Sequence, residues 1–268
     1  MLFRSRLYEY GLRGARGVVL TAGEHLITRD AFHRYIQTRD LDAEFPGARG
    51  FGFIRRVPVS QERQFLADAR ADGKPDFAIR QLSPQSDERF VIQYIEPLDK
   101  NQRALGLDIA SDPGRRDAAQ EAVRTGKAQL SAPITLVQAD DKPHQGFLML
   151  MPIYRQILVP ASVSEREQSA FGWSYAPLVI ADVLAGLPGQ YGSIHLRLSD
   201  ISLPEEERVF YDSAPDTLIL NDLFTQKVSL NVYGRRWQLE VSAPPAFIDG
   251  LHLVSPRLVF WIGVLITF

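Results

Sequence analysis

Phe45-Pro46-Gly47-Ala48-Arg49-Gly50-Phe51-Gly52-Phe53-Ile54-Arg55-Arg56-Val57-Pro58 is where this chain passes from one kind of pattern to another. Upstream, Leu7, Leu12, Val18, Val19, Leu26, Phe32 and Ile36 recur at loosely helical spacings, with Arg13, Arg16, Glu24 and Arg29 between them. Phe45-Pro46-Gly47 breaks that pattern, Gly47, Gly50 and Gly52 suit a tight entry into a strand, and residues 51–57 read as the strand itself. Residues 1–40 are therefore expected to form a long N-terminal helix. Gly11, Gly14 and Gly17 each weaken it by up to about 1 kcal/mol against Ala, but they also let another helix approach closely. A stalk that pairs in a homodimer and a helix laid along its own domain both fit.

Beyond the break the pattern is mixed. Ser60 suits the N-cap of a helix over 61–72, with Gly73 as its stop. Phe77, Ile79 and Gln81 alternate with Ala78 and Arg80, and Phe90, Ile92 and Tyr94 repeat the half-buried strand period before Pro97. Asp112-Pro113 opens a helix and Gly126 closes it, with Ala118, Ala119, Ala122 and Val123 as its buried face. Strands follow over 130–137 and 147–154, joined by the turn Asp140-Asp141-Lys142-Pro143. The polar stretch 154–168 reads as a subdomain boundary, after which the pattern restarts. A short helix is expected from Ala176-Pro177, then alternation at Ile194, Leu196 and Leu198. A hairpin is expected around Tyr233-Gly234-Arg235-Arg236. Two successive strand-rich units argue for an α+β fold of two antiparallel-sheet modules and against a doubly wound parallel sheet.

Composition narrows the function. With 268 residues, 45% hydrophobic and 23% charged, the chain is globular. A net charge of -2 leaves no basic footprint for nucleic acid. No cysteine is present, which excludes disulfides, thiolate nucleophiles and cysteine metal sites. His25, His33, His144, His195 and His252 show no metal-ligand spacing, and there is no nucleophile elbow or phosphate loop. Glu205-Glu206-Glu207 after Pro204 reads as a solvated first helical turn. No enzyme, metal or cofactor is expected.

The C-terminal run 258–268, Leu-Val-Phe-Trp-Ile-Gly-Val-Leu-Ile-Thr-Phe, carries no charge. A helical span needs about 20 apolar residues, so this is roughly half of one, with Trp261 suited to a membrane–water boundary. The start of a transmembrane helix is expected at 256–268; a buried C-terminal element of a soluble domain is the other reading. Arg4 and Arg6 interrupt any signal-peptide core, and an earlier span is expected before residue 1.

The middle of the chain resembles the CHASE domain, an extracytoplasmic sensory module of histidine kinases and nucleotide cyclases. The matching residues run in order: Phe45-Pro46-Gly47, Gly50 to Pro58, Tyr94-Ile95-Glu96-Pro97, Gly106-Leu107-Asp108 and Arg115-Arg116. They continue with Gly126, Leu130-Ser131-Ala132-Pro133-Ile134, Met151-Pro152-Ile153-Tyr154 and Gly172-Trp173-Ser174-Tyr175-Ala176-Pro177-Leu178. The resemblance implies a long N-terminal helix (1–40), a membrane-distal PAS-like ligand-binding module (41–157), a membrane-proximal PAS-like module (158–255) and the start of a transmembrane helix (256–268). It implies an inner-membrane protein whose part here is periplasmic and which drives a cytoplasmic histidine kinase or diguanylate cyclase. In plant cytokinin receptors of this family an Asp on a central strand holds the ligand. The resemblance places Asp108 in that role, makes the Leu130 backbone a second contact with Ser131 beside it, and brings in a cytokinin-like ligand. Around Asp140 the loop departs from the receptor pattern.

Two further site residues come from the residues themselves. Arg115 and Arg116, in the first turns of the helix after Asp108, could pair with it or reach an anion. Phe53, Phe77, Tyr94 and Phe147 could line a pocket or form core; Tyr94 has a hydroxyl that needs a partner when buried, which makes it the pocket member. The competing function is a ligand-free spacer that responds to a partner protein or to dimer geometry.

Overall fold

The computed structural model describes residues 2–85, 87–137, 143–185, 194–203, 206–213 and 224–243. They fall into two units. The first runs to Leu184 and includes Asn231–Arg236; the second takes the other described residues between Ala185 and Leu230 and from Trp237 onward. The expected start of a membrane helix at 256–268 lies outside the described residues. Among those described, no helix is long and apolar enough to cross a membrane.

The N-terminal stretch forms two helices where one was expected, α1 (Leu2–Ala22) and α2 (Arg29–Gln37). Gly23, at φ +94°, turns the chain between them, a conformation open to glycine without steric cost. The Thr28 hydroxyl then caps α2 by accepting from the Ala31 N–H at 3.2 Å. After these come α3 (Leu41–Glu44), β1 (Phe51–Val57), α4 (Glu62–Ala71), β2 (Arg80–Gln81), β3 (Arg89–Glu96), α5 (Leu98–Asn101), β4 (Leu107–Asp108) and α6 (Pro113–Thr125). The first unit continues with β5 (Gln129–Leu130), β6 (Ile134–Val137), β7 (Pro143–Tyr154), α7 (Val163–Ser169), β8 (Ala170–Val179) and α8 (Ile180–Val183). Its sheet has the order β2-β4-β3-β1-β8-β7-β5, with β6 also on β7.

Helices cover both faces of this sheet. On one, α1 buries Tyr8, Leu12, Ala15 and Val19, a stripe at helical spacing, and packs across β1, β7 and β8. Gly11 of α1 lies against the chain's own Phe51 and Phe45. On the other face lies α6, whose ends are as the sequence predicts. The Asp112 side chain accepts from the Arg115 N–H at 2.9 Å, Pro113 opens the first turn, and Gly126 closes it at φ +70°. Its small residues Ala118, Ala119 and Ala122 allow close approach, and the Trp173 indole N–H donates to the Ala119 carbonyl at 2.8 Å. That bond satisfies the only polar atom of a side chain that is otherwise pure core.

The boundary expected between 157 and 158 does not part the two units. All ten residues of β8 are buried, and the strand lies between β1 and β7 in the first sheet. The polar stretch before it is a surface excursion from β7 through α7 that returns the chain to the sheet centre. Ala176 and Pro177, expected to open a helix, are strand residues paired with Met149 and Leu148. Glu206, expected in a helical turn, lies in a strand of the second unit.

That unit is built on the sheet of β9 (His195–Leu203), β10 (Glu206–Asp212), β11 (Phe224–Val232) and β12 (Arg235–Ala243), in the order β10-β9-β12-β11, whose hairpin tip Asn231–Arg236 belongs to the first unit. Phe210 and Trp237 pack with ring centroids 4.8 Å apart. The expected hairpin is present: Tyr233 and Gly234 both have positive φ, 45° and 82°, the turn geometry whose twist matches that of the flanking strands.

Candidate functional site

The pairing of β1 with β3 decides which aromatic side chains face which side. Phe53 lies opposite Tyr94, yet Ile54 lies opposite Ile92, so Gln93 is an extra residue in β3. A bulge of this kind shifts the alternation and sends later side chains to the other face. Phe90 and Ile92 therefore join Trp173, Leu148, Ala118 and Ala119 on the α6 side. Tyr94 packs on the helix α2 side, with ring centroids 6.0 Å from Phe53 and 5.7 Å from Phe32. Its hydroxyl reaches Asp72 Oδ2 at 2.7 Å and the Ile27 carbonyl at 3.0 Å, and accepts from Gln93 Nε2 at 3.0 Å. Burial, with the Asp72 carboxylate beside it, holds that hydroxyl's pKa well above the usual tyrosine value. It borders a hollow of about 580 Å³ shared with Glu24, Arg55, Asp68 and Asp72.

On the α6 side lies a cavity of about 670 Å³. Ile92 of β3, Leu148 of β7 and Tyr175 and Pro177 of β8 line it from the sheet. Asp99, Lys100 and Asn101 of α5, the following turn Gln102–Ala104, and Leu107 line it from the loop side, with Arg115 from the start of α6. Among the described residues, four cationic side chains, Arg80, Lys100, Arg103 and Arg115, border this space against one acid, Asp99.

Two buried donors of this lining have no hydrogen-bond partner among the described residues: the Tyr175 hydroxyl and the Arg115 Nε–H. Tyr175 is 1% exposed. Burial drives its hydroxyl well above the ordinary tyrosine range, with the Arg115 charge pulling the other way, so the two groups are electrostatic neighbours. Desolvation likewise lowers the pKa of the Arg115 guanidinium, with Asp112 and Tyr175 opposing. An unmatched buried donor costs about 1–3 kcal/mol, and here two occur at the edge of one cavity.

Of the expected site residues, Arg115 alone lines this cavity. Asp108 is fully buried beside it, but its carboxylate is occupied within the fold. Oδ1 accepts from the Phe90 N–H at 2.9 Å and the Ala110 N–H at 3.1 Å; Oδ2 accepts from Gln85 Nε2 at 2.8 Å and Gln81 Nε2 at 3.2 Å. The Leu130 N–H donates to the Tyr233 carbonyl at 2.9 Å. Ser131 donates to the Ala132 carbonyl at 2.8 Å and accepts from the Leu148 N–H at 3.0 Å. Tyr94 faces the other side of the sheet. The residues that sequence reasoning missed are Tyr175, Lys100, Arg103 and Arg80. Tyr175 stands inside a motif the sequence singles out, and alternation with Trp173 and Pro177 could have placed it on the α6 face.

The CHASE domain family matches residues 25–211, well over half of the chain. No curated protein matches the sequence significantly. Among solved structures, the periplasmic sensory domain of the Campylobacter jejuni chemoreceptor Tlp1 superposes with a TM-score of 0.53 at 12% identity, covering 89% of this chain and 87% of that one. An extracellular ligand binding receptor from Desulfohalobium retbaense gives a TM-score of 0.46 at 12% identity, covering 91% of this chain and 39% of its own length.

Proposed function

The chain belongs to the CHASE domain family, an extracytoplasmic sensory domain without catalysis of its own, and we propose that its first unit binds a small molecule in the cavity between the sheet and the α5 turn. The cavity carries this reading. Its volume of about 670 Å³ falls in the 300–1,000 Å³ range of small-molecule sites, and apolar strand residues face a polar loop across it. The strand order β3-β1-β8-β7-β5, with the ligand side under α6, fits a PAS-like module. A cytokinin-like ligand finds little support, because Asp108 has both oxygens engaged by protein donors.

Binding would signal through differential affinity: a ligand shifts the arrangement of the module only as far as it prefers one state. The second unit and a following membrane span would carry the shift to a cytoplasmic histidine kinase or diguanylate cyclase, in a homodimer paired through α1. The test is a thermal-shift screen of a chemically mixed small-molecule library on the full 268-residue chain. A ligand at 100 times its Kd should add about 2.7 kcal/mol of stability. Absence of any selective hit would favour the spacer reading, in which partner protein or dimer geometry is the signal.

A further inference from the structure

We infer that the ligand of the α6-side cavity carries a carboxylate, held between the Tyr175 hydroxyl and the Arg115 Nε–H. The inference rests on that cavity being the binding site. Both groups line the space, and both are buried donors with no acceptor among the described residues. Other buried polar atoms also have no protein partner among the described residues, but these two line the same cavity, and a buried polar group calls for a partner. The Arg115 Nε–H can only donate, so its missing partner is an acceptor, and the Tyr175 hydroxyl can donate to the same group. Because one of them is a desolvated guanidinium, a charged acceptor repays its burial far better than a neutral carbonyl, since charge-assisted hydrogen bonds are about twice as strong. A carboxylate offers two oxygens for two donors, whereas a phosphate would bring a third oxygen and a second charge into the same corner. The rim favours the same sign, with Arg80, Lys100 and Arg103 against Asp99. Ile92 and Leu148 of the floor leave room for an apolar body behind the carboxylate.

The probes are benzoate, phenylacetate and hexanoate, each beside its neutral amide and the amine of matching length, with inorganic phosphate as a fourth class. Binding is read by thermal shift and calorimetry on the full chain. At least one carboxylate should bind and raise Tm while its amide and amine do not. Tyr175→Phe removes a hydroxyl with no protein partner among the described residues, so it should fold at least as stably as wild type yet bind that carboxylate roughly ten-fold or more weakly. Arg115→Met, which keeps the apolar stem, should lose most of the binding. Equal binding of amide or amine, preference for phosphate, or undiminished carboxylate binding in both variants would overturn the carboxylate inference and leave the cavity as a site for another ligand class. If no compound in these probes or in the mixed library binds, the cavity reading itself falls.

Discussion

The Phe90 N–H donates to Asp108 Oδ1 at 2.9 Å, so a carboxylate on the short strand β4 ties down the start of β3. The same oxygen accepts from the Ala110 N–H at 3.1 Å and caps the turn that leads to α6. Asp108 thereby joins strand, turn and helix entry beside the cavity without facing into it.

Asp108→Ala should destabilise the fold by about 3 kcal/mol, because two buried backbone N–H groups lose their acceptor. Gln81 and Gln85 can turn their amides to water and add little. Asp108→Asn keeps one acceptor oxygen and should lose clearly less. Urea midpoints at constant m-value measure the difference. The folded fraction of either variant should keep wild-type ligand affinity; a stable Asp108→Ala protein that has lost binding would restore the ligand role.

Gly11 and Gly17 should respond in opposite directions to alanine. A Cβ on Gly11 would lie 2.3 Å from Phe51 Cζ and 2.9 Å from Phe45 Cε1, whereas nothing lies within 4 Å of one on Gly17. Gly11→Ala forces two buried rings to move and should cost about 1–3 kcal/mol. Gly17→Ala removes only the helix penalty of glycine and should add up to about 1 kcal/mol. Thermal unfolding of the two single variants decides it.

Stability should fall as pH rises from about 10 to about 12. The buried Tyr154 hydroxyl donates to the Val123 carbonyl at 2.7 Å and keeps its proton to about 12, against 10.0 for a free tyrosine. Between these values the unfolded chain binds fewer protons than the folded one, so stability present below pH 10 is lost through that window. Burial pushes Tyr94 and Tyr175 the same way. Tyr154→Phe should start less stable by about 1 kcal/mol, from the lost hydrogen bond, but lose less between pH 9 and pH 11. An equal slope in the two proteins would contradict the assignment.

If α1 pairs with α1 of a second copy in the membrane, contact should run along its solvent side. Tyr10 is 62% exposed and Arg13 and Gly17 follow it at helical spacing, while Leu12, Ala15 and Val19 are turned into the first unit. Single cysteines at 10, 13 and 17 should cross-link in the full-length protein in membranes, and cysteines at 12, 15 and 19 should not. A flat profile along the helix would sink the homodimer proposal.

Local signals proved reliable where a short stretch contains its own physics. The cap Asp112, the first-turn Pro113 and the stop at Gly126 are all neighbours in the chain, so α6 is readable before any tertiary structure exists. The same holds for the Tyr233-Gly234 turn, whose conformation depends on two residues, and for the strand after Phe45-Pro46-Gly47. The ordered motifs from Phe45 to Leu178 likewise carried the family. The assignment of 154–168 as a boundary failed for a complementary reason. Polarity reports that a segment is exposed but not where the following strand returns, and β8 returns to the centre of the sheet.

The candidate site lay on the far side of that limit. Sequence alone determined an α+β chain, its family, the helix that presents Arg115 and the absence of cysteine chemistry. Tertiary structure alone decided that one extra residue at Gln93 turns Tyr94 away from the face of Ile92, that Asp108 spends its oxygens on Phe90, Ala110, Gln81 and Gln85, and that the Tyr175 hydroxyl and Arg115 Nε–H, without a partner among the described residues, meet at one cavity. Hydrogen-bond saturation depends on partners brought together from distant parts of the chain, and a single inserted strand residue reverses every side chain beyond it.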